Sequence, residues 1–404
     1  MRPVVFVAPF PLETTLRFAR AAARVEGVTL LGVVQEAPQG DDRRIFRDLI
    51  TVTDGLSARQ LIEAIGILKQ RHGQPARIVG VLEPLQTQLA LARQAHGVPG
   101  TDPETAELFR DKARMKDRLR AAGIPVARHA LLATRADAER FAQSVGFPMV
   151  LKPPAGMGAK ATFRVRDLGE LLGALQGMRA SAAHPVLGEE MVVGEEGSFD
   201  TVTVGGQARI GSISYYRPTP LTVIENPWIQ WCCVLPREAS GPANDEVRRV
   251  GVRTIEVLGL RDGFTHMEWF RRRDGSIVVG EIAQRPPGAN ITRIIGLAYD
   301  VDPYRAWAKA VIEGSIDGTW DRRYAVGCAF LRGMGRGRVR AVTGVAKTQD
   351  VVGKWVVEAK LPTLGAPKND SYEGDGYVIV RDPSTETVEK VLRHVIENVQ
   401  VHYG

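Results

Sequence analysis

Two glutamates carry the sharpest chemical signal in the chain. Glu268 lies in Thr265-His266-Met267-Glu268-Trp269-Phe270 and Glu281 in Val278-Val279-Gly280-Glu281-Ile282, and Asp274-Gly275 between these runs is a hairpin-turn dipeptide. Folded as a hairpin, the two arms can set both carboxylates against each other on neighbouring strands. Facing carboxylates repel and cost stability when partly buried, so otherwise apolar strands that carry both require a compensating cation. Hard oxygen donors select Mg²⁺ or Mn²⁺, which takes few protein carboxylates and completes its shell with phosphate oxygens and water. The plainer alternative is a pair of exposed edge carboxylates partnered by nearby arginines.

Arg285 follows in the stiff segment Arg285-Pro286-Pro287-Gly288-Ala289-Asn290. Its guanidinium stays charged at any working pH and forks donors toward carboxylate or phosphate, which suits a phosphoryl transition state or an acyl-phosphate oxyanion; a structural salt bridge is the alternative. Lys112 lies on a predicted charged helix, Asp111–Ala122, and Lys152 ends the apolar strand Met149–Lys152. Phosphate neutralisation is the economical role for both, although each taken singly could be structural. The glycine loop beyond Lys152 offers backbone N–H groups at Gly156, Met157 and Gly158 to phosphate oxygens. No Gly-x-x-x-x-Gly-Lys-Ser/Thr occurs. Gly156–Ala161 matches Gly-x-Gly-x-x-Ala, but its strand feeds another strand rather than a helix, which argues against a dinucleotide fingerprint.

These groups need scaffolding, and the hydrophobic periodicity supplies it. Apolar runs at 3–8, 28–34 and 77–82 alternate with helical stretches, the pattern of βαβ units around a parallel sheet, with Glu83 as its candidate ligand-facing carboxylate or a plain loop residue. Strands are expected at 162–165, 186–191, 198–204 and 210–215, and helices at 138–145, 167–175, 245–257 and 304–312. The remainder reads as an α+β lobe ending in a helix over 386–399. Tyr215, Tyr216, Trp228 and Trp231 could read a substrate side chain or belong to the core.

With 404 residues, 44% hydrophobic and 25% charged, the chain reads as globular, with two to four domains. No apolar run reaches the roughly 20 residues that span a bilayer, and the apolar start lacks a basic leader, so the expectation is a soluble cytoplasmic protein without a membrane partner. Cys232, Cys233 and Cys328 form neither a disulfide framework nor a metal-binding spacing. The net charge of +7 comes from scattered arginines. It suits anionic small ligands better than nucleic acid, and Arg271, Arg272 and Arg273 read as a solvated hairpin cluster.

From about Gly97 to Tyr299 the order of motifs resembles the ATP-grasp superfamily. The matching pieces are Arg110–Lys116, Ala122–Val126, Val150–Pro154, Gly188–Glu196 and the Glu268/Glu281/Arg285 set. The resemblance implies an α/β and α+β architecture: an N-terminal parallel-sheet domain over 1–110, a small ATP-grasp subdomain over 111–187 with the glycine-rich loop, a large subdomain over 188–318, and a C-terminal α+β lobe over 319–404. It implies ATP and Mg²⁺ (or Mn²⁺) as cofactors. Lys112 and Lys152 would contact phosphates, with Gly156 and Gly158 closing over them; the loop departs from relatives at Ala159-Lys160, where Lys160 is either a third phosphate contact or an exposed side chain. Glu189 and the backbone of Glu190 and Val192 would surround adenine, and Glu196, or its neighbour Glu195, would take the ribose hydroxyls. Glu268 and Glu281 would hold the metal. Where relatives read Glu-x-Asn-x-Arg this chain has Glu281-Ile282-Ala283-Gln284-Arg285, so Asn290 is the candidate replacement ligand. Glu-Ile-Ala-x-Arg resembles the purine-pathway carboxylases, whereas Pro-Gly after the arginine and the C-terminal lobe look like the amino-acid ligase branch. The implied reaction joins a small carboxylate to an amine through an acyl phosphate, with Arg285 and Lys152 catalytic; a carboxylase, a formate-activating ligase and a nucleotide-binding protein without turnover are the alternatives. A homodimer is left open.

Overall fold

A computed structural model describes residues 1–156 and 161–404. The N-terminal segment forms a parallel sheet in the order Asp48–Thr51, Val28–Val34, Arg2–Val7, Arg77–Val79. Val4, Val5, Phe6 and Val7 are fully buried, because a parallel strand is covered on both faces by helices and so reads as a continuous apolar run.

Two further sheets enclose the central cleft. The smaller is antiparallel, in the order His129–Leu132, Val186–Glu190, Met149–Lys152, Phe163–Val165. The strand Val186–Glu190 lies wholly within it, so a boundary at 187/188 runs through that strand. The larger sheet has eight strands: Ile277–Ala283, Gly263–Arg271, Glu195–Val204, Gln207–Arg217, Trp231–Leu235, Ala325–Leu331, Gly376–Asp382 and Val356–Lys360. It runs unbroken across position 318, since Trp231–Leu235 pairs with Ala325–Leu331. The α+β tail therefore shares the central sheet, and its helix Thr385–Asn398 packs on that sheet through Val388, Val391, Leu392 and Val395.

The helix Lys112–Ala121 is started by Asp111, whose carboxylate accepts from the N–H groups of Ala113 and Arg114. Its apolar face, Met115 and Leu119, packs on Val279 and Ile282 of the glutamate hairpin. Because Cβ atoms three and four residues apart share a helix face, this packing also turns Lys112 and Lys116 toward the cleft.

The strand Trp231–Leu235 is absent from the sequence reading. All five of its residues are buried, so it carries no alternating pattern, and its aromatic start resembled a binding loop. Trp231 is core, stacked on Phe330 at 4.3 Å. Tyr215 packs edge-on to Trp269 and donates to Asn244, while Trp228 is exposed outside the cleft lining. Tyr216 and Trp231 reach the cleft wall.

Candidate active site

Pairing across the hairpin sets Glu268 directly opposite Glu281. A bulge after Glu268 takes Gly280 out of register, where a Cβ would meet the Phe270 ring at 2.9 Å. Both carboxylates open into a cavity of about 410 Å³ between the two antiparallel sheets. Burial and the Glu281 charge push the Glu268 carboxyl up. Burial would raise Glu281 as well, but Lys112, Lys152 and Arg285 outweigh it and bring it down to about 2.

The same cavity is lined by Lys112, Lys152, Gly156, Glu189, Glu190, Val192, Glu196 and Arg285. Lys112 Nζ lies 3.3 Å from Glu281 Oε2 and donates to the Gly156 carbonyl at 3.0 Å, so Gly156 turns its oxygen, rather than its N–H, to the helix. Lys152 Nζ lies 3.0 Å from Glu189 Oε2; burial lowers its pKa, yet Glu189 and Glu281 outweigh this and hold it up. Strand alternation turns Glu196 inward and Glu195 outward to Arg271. Burial and the Glu268 charge push Glu196 well above the usual carboxylate range. The Glu190 side chain faces away from the cleft centre, bound by Arg128 at 2.7 Å and Arg272 at 3.1 Å. Arg271 and Arg272 are thus tied to Glu195 and Glu190 and half-buried, not solvated as expected; of the three, Arg273 alone is exposed.

Asn290 does not join the carboxylate pair. At the start of the helix Ile291–Tyr299 it adopts a left-handed φ of 57°, and its amide nitrogen lies 3.9 Å from Cys328 Sγ, behind the cavity wall. Gly158 and Lys160 lie outside the described residues.

Lys116 and His266 complete the site without having been assigned to it from the sequence, and Glu83, read there as a ligand-facing or plain loop carboxylate, is an ion-pair partner. Lys116 is fully buried, 3.3 Å from Glu189 Oε1 and donating to the Gly280 carbonyl at 2.5 Å. Its signal was the four-residue spacing from Lys112. Burial would raise the Glu189 carboxyl, but Lys116 and Lys152 together hold it down. Glu83 is buried and gripped by Arg110 and Arg285, each at 3.0 Å. It thereby anchors Arg285, which lines the cleft, to the N-terminal domain through a salt bridge. His266 shares a strand face with Glu268 at a spacing of two; its Nδ1 is 2.6 Å from Asp200.

Burial pulls the Lys116 ammonium down to about 8, against the opposing pull of Glu189. A lysine whose folded pKa lies below its unfolded value near 10.4 binds fewer protons folded than unfolded between those limits, so its contribution to stability rises with pH there. Across pH 8 to 10, wild type should therefore gain thermal stability relative to Lys116→Met. A Tm difference that stays flat over this window removes the buried-ammonium account.

Mg²⁺ is bound by one or two protein carboxylates plus phosphate oxygens and water. The facing Glu268/Glu281 pair fits that donor set. No cluster of three or more His, Cys, Asp or Glu ligands exists among the described residues, so the pair would not hold a metal by an all-protein cage.

Sequence and structure comparisons agree with this layout. The ATP-grasp domain family matches residues 117–291. An L-arginine-specific L-amino acid ligase of Bacillus subtilis is 26% identical over 262 residues, 63% of this chain and 62% of that protein, so the chain matches less than two thirds of that relative's length. The crystal structure of an L-amino acid ligase from Bacillus licheniformis superimposes with a TM-score of 0.80 at 17% identity, covering 100% of this chain and 99% of that one. N5-carboxyaminoimidazole ribonucleotide synthetase from Thermotoga maritima superimposes at 0.71 and 17% identity, covering 100% of both chains. Residues 117–291 of this chain thus carry an ATP-grasp domain.

Proposed function

We propose that the protein is a soluble, cytoplasmic ATP-dependent carboxylate–amine ligase that forms an amide or peptide bond and releases ADP and phosphate. The observation that carries this reading is the Glu268/Glu281 pair facing across one hairpin, with Lys112, Lys152 and Arg285 on the same cavity. The named relatives among amino-acid ligases support the branch.

Adenine fits the slot beside Glu189, Glu190 and Val192, whose lining is apolar through Val150, Phe270 and Val278. Glu196 reaches the ribose hydroxyls with two acceptor oxygens. Glu268 and Glu281 would hold Mg²⁺, which would supply charge neutralisation and orientation at the phosphate tail. Lys112 and Lys152 absorb charge on the phosphates. A substrate carboxylate oxygen then attacks the γ-phosphorus, the bond to the ADP oxygen breaks, and an acyl phosphate forms. The amine nitrogen attacks its carbonyl carbon, loses a proton, and phosphate leaves. Arg285, held rigid by Glu83, stabilises the oxyanion in both steps.

The test is mass-spectrometric detection of condensed product from mixed amino acids with ATP and Mg²⁺, alongside a bicarbonate-only arm. Amide product with ADP release supports the ligase; ADP release in the bicarbonate arm alone replaces it with a carboxylase. ADP binding without turnover in any arm leaves a binding protein.

A further inference from the structure

A second cavity, about 450 Å³, lies on the far side of Arg285 from the nucleotide cleft, between the N-terminal domain and the large sheet. Its volume falls within the range of small-molecule sites. Four guanidiniums line it: Arg77, Arg93, Arg261 and Arg285. They face one carboxylate, Asp262, whose Oδ1 already accepts from the Gly205 N–H.

Arg93 is nine-tenths buried, and among the described residues its hydrogen bonds run only to the backbone carbonyls of Ile78 and Thr101. Among the same residues Arg77 bonds only to the carbonyls of Val311 and Ala76. A buried guanidinium without a counter-charge is costly, and here burial and the Arg77 charge both pull the Arg93 pKa down. Gly100 packs flat on the Arg93 stem, where a Cβ would come within 2.8 Å of Arg93 Cδ, so the chain is shaped around this side chain. The Gln284 amide, also nine-tenths buried, donates to Thr101 Oγ1 at 2.6 Å and leaves its oxygen without a partner. With the amide turned the other way a nitrogen is left over instead, so one buried polar atom of this cavity-lining residue stays unmatched in either assignment. Positive charge without a carboxylate partner and an orphaned amide around one cavity are features that an anionic ligand would satisfy.

We infer that this interdomain cavity binds a small oxyanion, a carboxylate or phosphate, between Arg77, Arg93 and Arg261. The inference stands apart from the ligase reading, because none of these three arginines lines the nucleotide cleft. Arg285 walls both spaces, so an anion here would bear on the residue beside the reacting phosphate.

Titration calorimetry on the full chain tests it, using inorganic phosphate and succinate as separate probes, each with and without MgADP. At least one probe should bind with millimolar or tighter affinity, and MgADP should not displace it. Arg77→Gln/Arg261→Gln, both at the cavity rim, should weaken that binding by about tenfold or more, as expected for lost charge-assisted hydrogen bonds. Gln284→Leu gives a second, independent loss, and circular dichroism checks the fold of each variant. Which probe binds distinguishes a phosphate from a carboxylate ligand. Binding unchanged in both variants, displacement by MgADP, or no heat from either probe overturns the inference.

Discussion

Glu281→Gln should lower turnover by about 10²–10³-fold while leaving the fold intact, since it removes one of the two carboxylates that would hold Mg²⁺ at the phosphates. Two features of the site set this expectation. Glu281 is the carboxylate held ionised, near 2, by Lys112, Lys152 and Arg285, whereas its partner Glu268 is pushed up by burial and by Glu281 itself. Losing the Glu281 charge relieves that repulsion but strips Lys112, at 3.3 Å, and Lys152 of a counter-charge; the lowered Glu281 pKa makes the second effect the larger, so thermal stability should fall modestly at neutral pH. Glu268→Gln should cost a similar factor, and the double variant little more than either, because the two act as one site. ADP release at saturating Mg²⁺, read beside a melting curve, separates the cases. Wild-type turnover in Glu281→Gln would remove the carboxylate pair from the chemistry and with it the ligase mechanism.

Arg285→Met should do two things at once. Turnover should fall by about 10²–10³-fold through loss of the oxyanion donor. Stability should fall by about 3 kcal/mol, because Glu83, only 4% exposed, keeps Arg110 alone as its partner and breaking a buried pair leaves charge uncompensated. These effects come apart in Arg285→Met/Glu83→Gln, which should regain much of the lost stability and none of the turnover. Recovery of turnover in the double variant would make Arg285 a structural partner of Glu83 and nothing more. Glu83→Gln alone should reduce turnover less, as the guanidinium remains but is no longer held from the N-terminal side.

Much of the fold was legible because its signals are local. The hairpin follows from two apolar runs around Asp274-Gly275, and the helix carrying Lys112 from its Asp111 cap and its stop at Gly123. The buried strand Trp231–Leu235 lacked such a signal, since strands covered on both faces show no alternation. Asn290 was a fair substitute by distance along the chain, yet its left-handed backbone carries the amide to Cys328. Arg271 and Arg272 looked solvated because the glutamates they bind, Glu195 and Glu190, come from a distant stretch of chain.

Residue types and short-range periodicity by themselves determined which groups could do chemistry here: two carboxylates on neighbouring arms, lysines on a helix and at a strand end, and a guanidinium on a proline-stiffened loop. Only the tertiary structure decided how those groups are charged and held. Glu83 and Arg285 are 202 residues apart in sequence and 3.0 Å apart in space. Periodicity reports which face a side chain takes on its own element; ion pairing, burial and the pKa shifts they cause depend on what another element brings to that face.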